Sequence, residues 1–246
     1  ISACFIYYAT IQQKEMTEDE KLKNRNPLTG IKEGFRFLIS NKQVLRPALA
    51  KGTFTMCLGA LVYILIIVAE NILLMGSIGL GILYASRGIG TGIGPVVGRR
   101  IFKKESSWIR AIGFFMIFTS ACYIFVSQMA TIFWMSLFVL LAHMSSGSNW
   151  VMSTVLLQRR APDTYRGRVF STEWLLFTLA QSVSVTVASV ILEYGIFTIR
   201  ETMILFALLL GFSGIMWLLM VVPQEDSYHV QISNGKKAYR AKTAEF

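Results

Sequence analysis

Ile82–Lys104 reads ILYASRGIGTGIGPVVGRRIFKK. With the residues just before it, this run supplies the about 20 mostly apolar residues that a helix needs to cross a bilayer. Yet Arg87 stands inside it, and Arg99, Arg100, Lys103 and Lys104 close it. In a span over 76–98, Arg87 is about eleven residues, or roughly 17 Å, from either end at 1.5 Å rise per residue. A side chain cannot snorkel that far to water, and the placement costs roughly 2.5–3.5 kcal/mol on insertion scales. Gly90, Thr91, Gly94 and Gly98 follow on the same helical face. Gly90, Gly94 and Gly98 repeat the small-xxx-small spacing of close helix contact. Arg87 is therefore expected to face other helices or a wet cavity. Two roles stay open: it binds an anionic group or pairs with a carboxylate that exchanges protons, or it caps carbonyls at a glycine-softened break and locks two helices. GIGTGIG does not match the dinucleotide fingerprint and follows no strand, so a nucleotide site is not expected.

The rest of the chain is of the same kind. Of 246 residues, 54% are hydrophobic and only 15% charged, against about 25% charged in soluble domains. The mean hydropathy is +0.53. Six spans are expected, over 45–69, 76–98, 109–127, 131–157, 169–192 and 198–222. Continuous apolar runs, rather than alternating ones, exclude a β-barrel reading. Residues 1–9 look like the end of a preceding span, which makes this chain the expected C-terminal part of a longer one. Residues 223–246 form a polar tail with no apolar period, expected to be disordered.

The net charge of +10 belongs to the loops rather than to a nucleic-acid surface. All but three of the 24 lysines and arginines (Lys51, Arg87 and Arg200) fall in the 10–46 segment, the loops after the second and fourth spans, and the tail. That asymmetry puts the long loop and the C-terminus in the cytoplasm. Within the loop region 10–44, residues 28–44 place Leu28, Ile31, Phe35, Leu38 and Ile39 on one helical face. Such a helix suits the membrane interface, or a berth on the protein's own cytoplasmic face. Cys4, Cys57 and Cys122 have no disulfide or zinc spacing and read as packing residues.

Few groups inside the spans can carry chemistry. Glu173 lies about one turn into the fifth span, with Arg166 and Arg168 just before it. It reads either as an interfacial ion pair with them or as a gating pair or proton acceptor. Gln181 follows on the same face. His143, Gly147 and Trp150 share a face of the fourth span, with Asn149 beside it; His143 is a packing residue or a proton relay. No cysteine or carboxylate accompanies it at ligand spacing, so no metal or cofactor is expected. No nucleophile has a base and an orienting acid, so no enzyme is expected.

Three stretches carry a resemblance: LTGIKEGFRFLISNKQVLRPALA (28–50), GILYASRGIGTGIGPVVGRRIFKK (81–104) and LLQRRAPDTYRGRVFSTEWLLF (156–177). Together they resemble the C-terminal half of a major facilitator superfamily transporter, in the branch of bacterial macrolide-efflux and enterobactin-exporter-like proteins. The resemblance implies an all-α membrane protein whose six transmembrane helices form one half of a twelve-helix fold. It implies a bacterial inner-membrane protein exporting amphiphilic small molecules in exchange for protons. The partners it implies are substrate, protons, lipid and the N-terminal six-helix half. The residues taken as substrate or coupling candidates are Arg87, Glu173, His143, Asn149, Trp150 and Gln181, with Gly90, Gly94 and Gly98 as packing residues, and Arg99, Arg100, Arg166 and Arg168 fall in the cytoplasmic loops that the resemblance covers. The chain departs from the superfamily's loop motif at Gly98, where an acidic residue is usual. The reading from another class is a self-contained six-helix membrane scaffold without transport.

Overall fold

A computed structural model describes residues 27–227, which are helical and contain no strand. The expected end of a preceding span, Cys4, the polar stretch 10–26 and the tail from 228 onward lie outside the described residues. The helices are α1 (Pro27–Ser40), α2 (Lys42–Asn71), α3 (Gly76–Ile101), α4 (Trp108–Gln128), α5 (Ile132–Arg160), α6 (Asp163–Glu193) and α7 (Ile199–Met216). A 3-10 turn, Glu105–Ser107, leads into α4, and a π turn, Trp217–Val221, continues α7.

Four helical stretches are long and apolar enough to cross a membrane: Lys42–Asn71, Glu105–Gln128, Asp163–Glu193 and Ile199–Ser227. The protein is thus an all-helical membrane protein. The other two long helices, α3 and α5, are less apolar for a reason visible in their packing. α3 carries Arg87 and a run of glycines, whereas α5 buries His143, Ser145, Ser146, Ser148 and Asn149. These are the two helices with the most extensive mutual contact.

That contact rests on missing side chains. A Cβ on Gly90 would meet the Leu140 carbonyl, one on Gly94 the Met144 carbonyl, and one on Gly98 the Ser148 hydroxyl. From α5, a Cβ on Gly147 would meet the Thr91 backbone. With the backbones this close, Ser148 Oγ donates to the Gly94 carbonyl at 2.6 Å. Small residues permit such an approach, and dispersion and interhelical hydrogen bonds then hold it in an apolar solvent that supplies no hydrophobic drive between helices. α3 runs unbroken from Gly76 to Ile101, so the glycine-softened break considered for Arg87 does not exist. Gly90, Gly94 and Gly98 serve the contact with α5 instead.

Residue pairs give the helix directions. Lys51 meets Glu173 and Ala60 meets Ser184, so α2 and α6 run parallel. Gly90 meets Leu140 and Gly98 meets Ser148, so α3 and α5 also run parallel. α4 runs antiparallel to α7, with Trp217 Nε1 donating to the Ile109 carbonyl and Ser120 to that of Ala207. Exchanging α2–α3–α4 with α5–α6–α7 maps the α2–α6 contact onto the α3–α5 contact and the α2–α7 contact onto the α4–α5 contact. The bundle thus has part of the contact pattern of two three-helix units in inverted orientation, although the α2–α3 contact has no counterpart of like extent between α5 and α6.

Three expectations are corrected at the basic end. The amphipathic helix stops at Ser40, because Asn41 separates it from α2. It packs on the protein's own bundle: Gly34 lies on Arg168 and Thr172 and Leu38 is buried beside Leu157 and Val169, while Phe35 and Ile39 stay exposed. The loop expected over 158–168 is reduced to Ala161 and Pro162. Helix α6 already begins at Asp163, after a proline in extended conformation and with an acidic first turn. The tail is not polar and free from residue 223 onward: helix continues to Ser227, and Glu225 is 2% exposed. It pairs there with Arg46 and with Arg160, the latter at 2.5 Å. Arg160 also donates to the Gln43 carbonyl at 3.2 Å, the acceptor that Pro47 leaves without its helical donor.

Gly94→Val is expected to destabilise the bundle by about 1–3 kcal/mol through overpacking against α5. Gly88→Ala and Gly92→Ala, where an added Cβ meets nothing, are expected to leave the thermal midpoint in detergent unchanged or slightly higher. Thermal unfolding of the three purified variants checks both statements.

Candidate functional site

α2, α3, α5 and α6, the two parallel pairs of the bundle, enclose a cavity of about 270 Å³. The residues that build it lie at helical spacings. From α2 come Thr55, Leu58, Gly59 and Val62, and from α3 come Arg87 and Thr91. α5 supplies His143, Ser146, Gly147 and Trp150, and α6 supplies Phe177 and Gln181. Spacings of three, four and seven residues keep each set on one face. The helices can approach at these faces because Gly59 and Gly147 give up volume: a Cβ on Gly59 would press on Gln181.

The wall is aromatic on one side and polar on the other. Trp150 and Phe177 meet edge to face at 5.1 Å, and Trp174 extends the cluster with its centroid 6.0 Å from Trp150. Opposite stands Arg87, half-buried, with its guanidinium carbon 5.3 Å from the Tyr84 ring on its own helix. Among the described residues Arg87 has no carboxylate partner. His143 is buried and shares a 2.9 Å hydrogen bond between Nε2 and the Tyr123 hydroxyl. It lines the cavity while its ring is held from α4, so both roles considered for it remain compatible with its position. Ser146 and Gln181 complete the polar lining.

One turn toward the basic end lies a buried ion pair. Lys51 Nζ is 2.7 Å from Glu173 Oε1, and both side chains are about 6% exposed. Lys51 Nζ also lies 4.4 Å from the centroid of the Trp150 ring. At 2.7 Å the Lys51 ammonium and the Glu173 carboxylate are in direct ionic contact. Glu173 precedes Phe177 by one helical turn, and Lys51 precedes Thr55 by one turn. The pair therefore sits at the basic end of the cavity, on the two helix faces that line it. Trp150 belongs to both, packing over the lysine and walling the cavity.

This corrects the expected pairing of Glu173 with Arg166 or Arg168. Arg166 instead bonds Asp163 at 2.6 Å, and Arg168 reaches across to Glu33 of α1 at 2.8 Å. Once α6 is helical from Asp163, these arginines project near its start, and the carboxylate one turn deeper is left to a residue from α2. Lys51 was the missed site residue. Its signal was present, since a lysine nine residues into an apolar helix needs a partner; which carboxylate answers it depends on the parallel packing of α2 on α6.

The remaining candidates lie apart from the cavity. Asn149 is buried on α5, and its Oδ1 has no hydrogen-bond partner among the described residues. Gly90, Gly94 and Gly98 form the α3–α5 contact described above. Arg99 and Arg100 are exposed at the end of α3, with no ion-pair partner among the described residues. Among the aromatics of these helices, Trp150 and Phe177 line the cavity, while Phe114, Phe118, Trp134 and Trp174 are exposed. No group of three or more metal-ligating side chains is assembled among the described residues.

Comparison with protein-family models, with curated proteins and with solved structures finds no match to this chain.

Breaking the Lys51–Glu173 pair from one side strands the other charge. Lys51→Met and Glu173→Leu alone are each expected to cost about 3–5 kcal/mol, and the double variant far less than their sum. A double-mutant cycle on unfolding in detergent reads the coupling directly, and additive losses would show that the pair does not act as one.

Proposed function

We propose that this chain is a transport bundle of six membrane spans, α2 to α7, and that it works by alternating access as a secondary transporter of amphiphilic small molecules. The observation that carries the reading is the cavity. It lies between the two parallel helix pairs that the inverted-repeat contact pattern exchanges, and it combines an intramembrane cation with an aromatic wall. Secondary transporters place their sites near mid-membrane between such repeats, where two packings of one bundle are close in energy. The resemblance of 28–50, 81–104 and 156–177 to the C-terminal half of a major facilitator transporter points to the same class and to efflux across a bacterial inner membrane.

The ion pair supplies a means of coupling. Glu173 is the carboxylate, among the described residues, that lies inside an apolar helix next to the cavity. A proton on Glu173 removes its charge and leaves Lys51 buried without a counterion, which favours separation of α2 from α6 at that end. Trp150, shared between lysine and cavity, makes that separation sensitive to what the cavity holds. Proton binding and cargo binding would then bias one two-state element, which is what exchange requires.

The test is efflux of a fluorescent amphiphile from proteoliposomes that contain the full natural gene product, with and without an imposed pH gradient. Gradient-driven movement is expected in the native protein. Arg87→Ala is expected to abolish it and Arg87→Lys to keep part of it, with all proteins matched for folded yield. A well-folded Arg87→Ala protein that transports normally would remove Arg87 from the site, and a native protein that moves nothing would favour a scaffold role.

A further inference from the structure

We infer that the cavity takes an amphiphilic anion: a carboxylate or phosphate-type group on Arg87, carried by a flat apolar body that lies against Trp150 and Phe177. This names the ligand class for the site proposed above and rests on that reading for its transport role, but its binding chemistry stands on separate observations.

The argument is an accounting of charge. A guanidinium does not give up its proton, so unlike a lysine Arg87 cannot escape the apolar layer by neutralising. Among the described residues, the carboxylates that could answer it are committed elsewhere. Glu173 is on Lys51, Glu225 on Arg46 and Arg160, Glu33 on Arg168, Glu105 on Arg159, Asp163 on Arg166 and Asp226 on Arg110. Glu70, Glu193 and Glu201 lie at helix ends. The cation-π contact with Tyr84 offsets part of the cost without supplying a counter-charge. The contrast with Lys51 is direct. That cation, also inside a helix, has both a carboxylate and an indole, whereas Arg87, among the described residues, has only the ring and opens onto a cavity.

The rest of the wall fixes what carries the charge. Trp150 and Phe177 offer ring surface, and Leu58 and Val62 complete an apolar side. An inorganic anion would leave that surface bare, and a neutral aromatic would leave the guanidinium unanswered. A cation would add a like charge in a low-dielectric site. The volume of about 270 Å³ is on the scale of a fused-ring body with one acidic group, at the small end of ligand pockets. Thr91, Ser146 and Gln181 can accept or donate to polar substituents around it.

Three ligands that share one ring system test this: 2-naphthoate, 2-naphthamide and 2-(aminomethyl)naphthalene. Their binding is measured by equilibrium dialysis on the full natural gene product in nanodiscs of zwitterionic lipid. The expected order is anion tightest, by about tenfold over the amide, as for a charge-assisted contact in a partly dehydrated site, with the amine weakest. Arg87→Gln is expected to bring naphthoate down to the amide's affinity and to leave the amide unchanged, while Arg87→Lys keeps part of the preference. Size-exclusion profile and helical content verify that each variant is folded. Phe177→Ala is expected to weaken all three ligands alike. Repeating the titration with an anionic phospholipid in the nanodisc separates two sources of the same chemistry: competition assigns the site to a lipid headgroup, and undiminished binding to a soluble anion. Equal affinity for anion and amide, or a preference that survives in Arg87→Gln, overturns the inference. Equal transport of neutral and anionic amphiphiles by the native protein, unchanged when Arg87 is replaced, would overturn it while leaving the transporter reading intact. Anion-selective binding without transport would do the reverse.

Discussion

A charge carried into an apolar layer must be answered by another charge or by water, and this bundle is arranged around that requirement. Lys51 and Glu173 come from helices joined by no short loop, and each is tolerable only because the other is there. Their meeting sets the register of α2 on α6, which aligns Thr55, Leu58 and Val62 with Phe177 and Gln181 across the cavity. The same demand shapes the basic end. There Glu225 is drawn under cover between Arg46 and Arg160, so that the last helical turns are fastened to the start of α2 and the end of α5.

The second organising constraint is that lipid offers helices no hydrophobic reason to associate. α3 and α5 solve this with glycine. Gly90, Gly94, Gly98 and Gly147 bring two backbones close enough for hydroxyl-to-carbonyl bonds such as Ser148 to Gly94. Polar residues that lower the hydropathy of α5 are thus its adhesive. The same closeness carries Arg87 to a fixed place in the wall, since it lies one turn above Gly90 and Thr91 on a helix that cannot rotate without clashing. Rigid packing on one side of α3 and an open cavity beside it are two results of a single arrangement.

Function follows from where these two constraints meet. Trp150 stands on α5, covers the Lys51 ammonium and presents its indole to the cavity. Any ligand that lies against that ring contacts, through it, the pair joining α2 to α6. A bundle with part of the contact pattern of two inverted three-helix units has a pair of related packings available to it. In the proposed transport cycle, the Lys51–Glu173 pair is the element that chooses between them.

Much of this was written in the chain. The helical class, the placement of Arg87 against small residues, the shared face of His143, Gly147 and Trp150, and the asymmetry of basic loops all follow from hydropathy and 3.6-residue spacing, which are local properties. What those properties leave open is who meets whom. Glu173 had two arginines within a few residues and took a lysine more than a hundred positions away, because helical geometry at Asp163 points the arginines elsewhere. The tail after Pro223 reads as polar and free, yet Glu225 is buried, because charge compensation between distant helices has no signature in sequence period. The sequence alone determined that charged groups would stand inside an apolar bundle. The tertiary structure decided which are paired and which faces the cavity, since pairing depends on helix direction and register, and these are settled only when backbones pack.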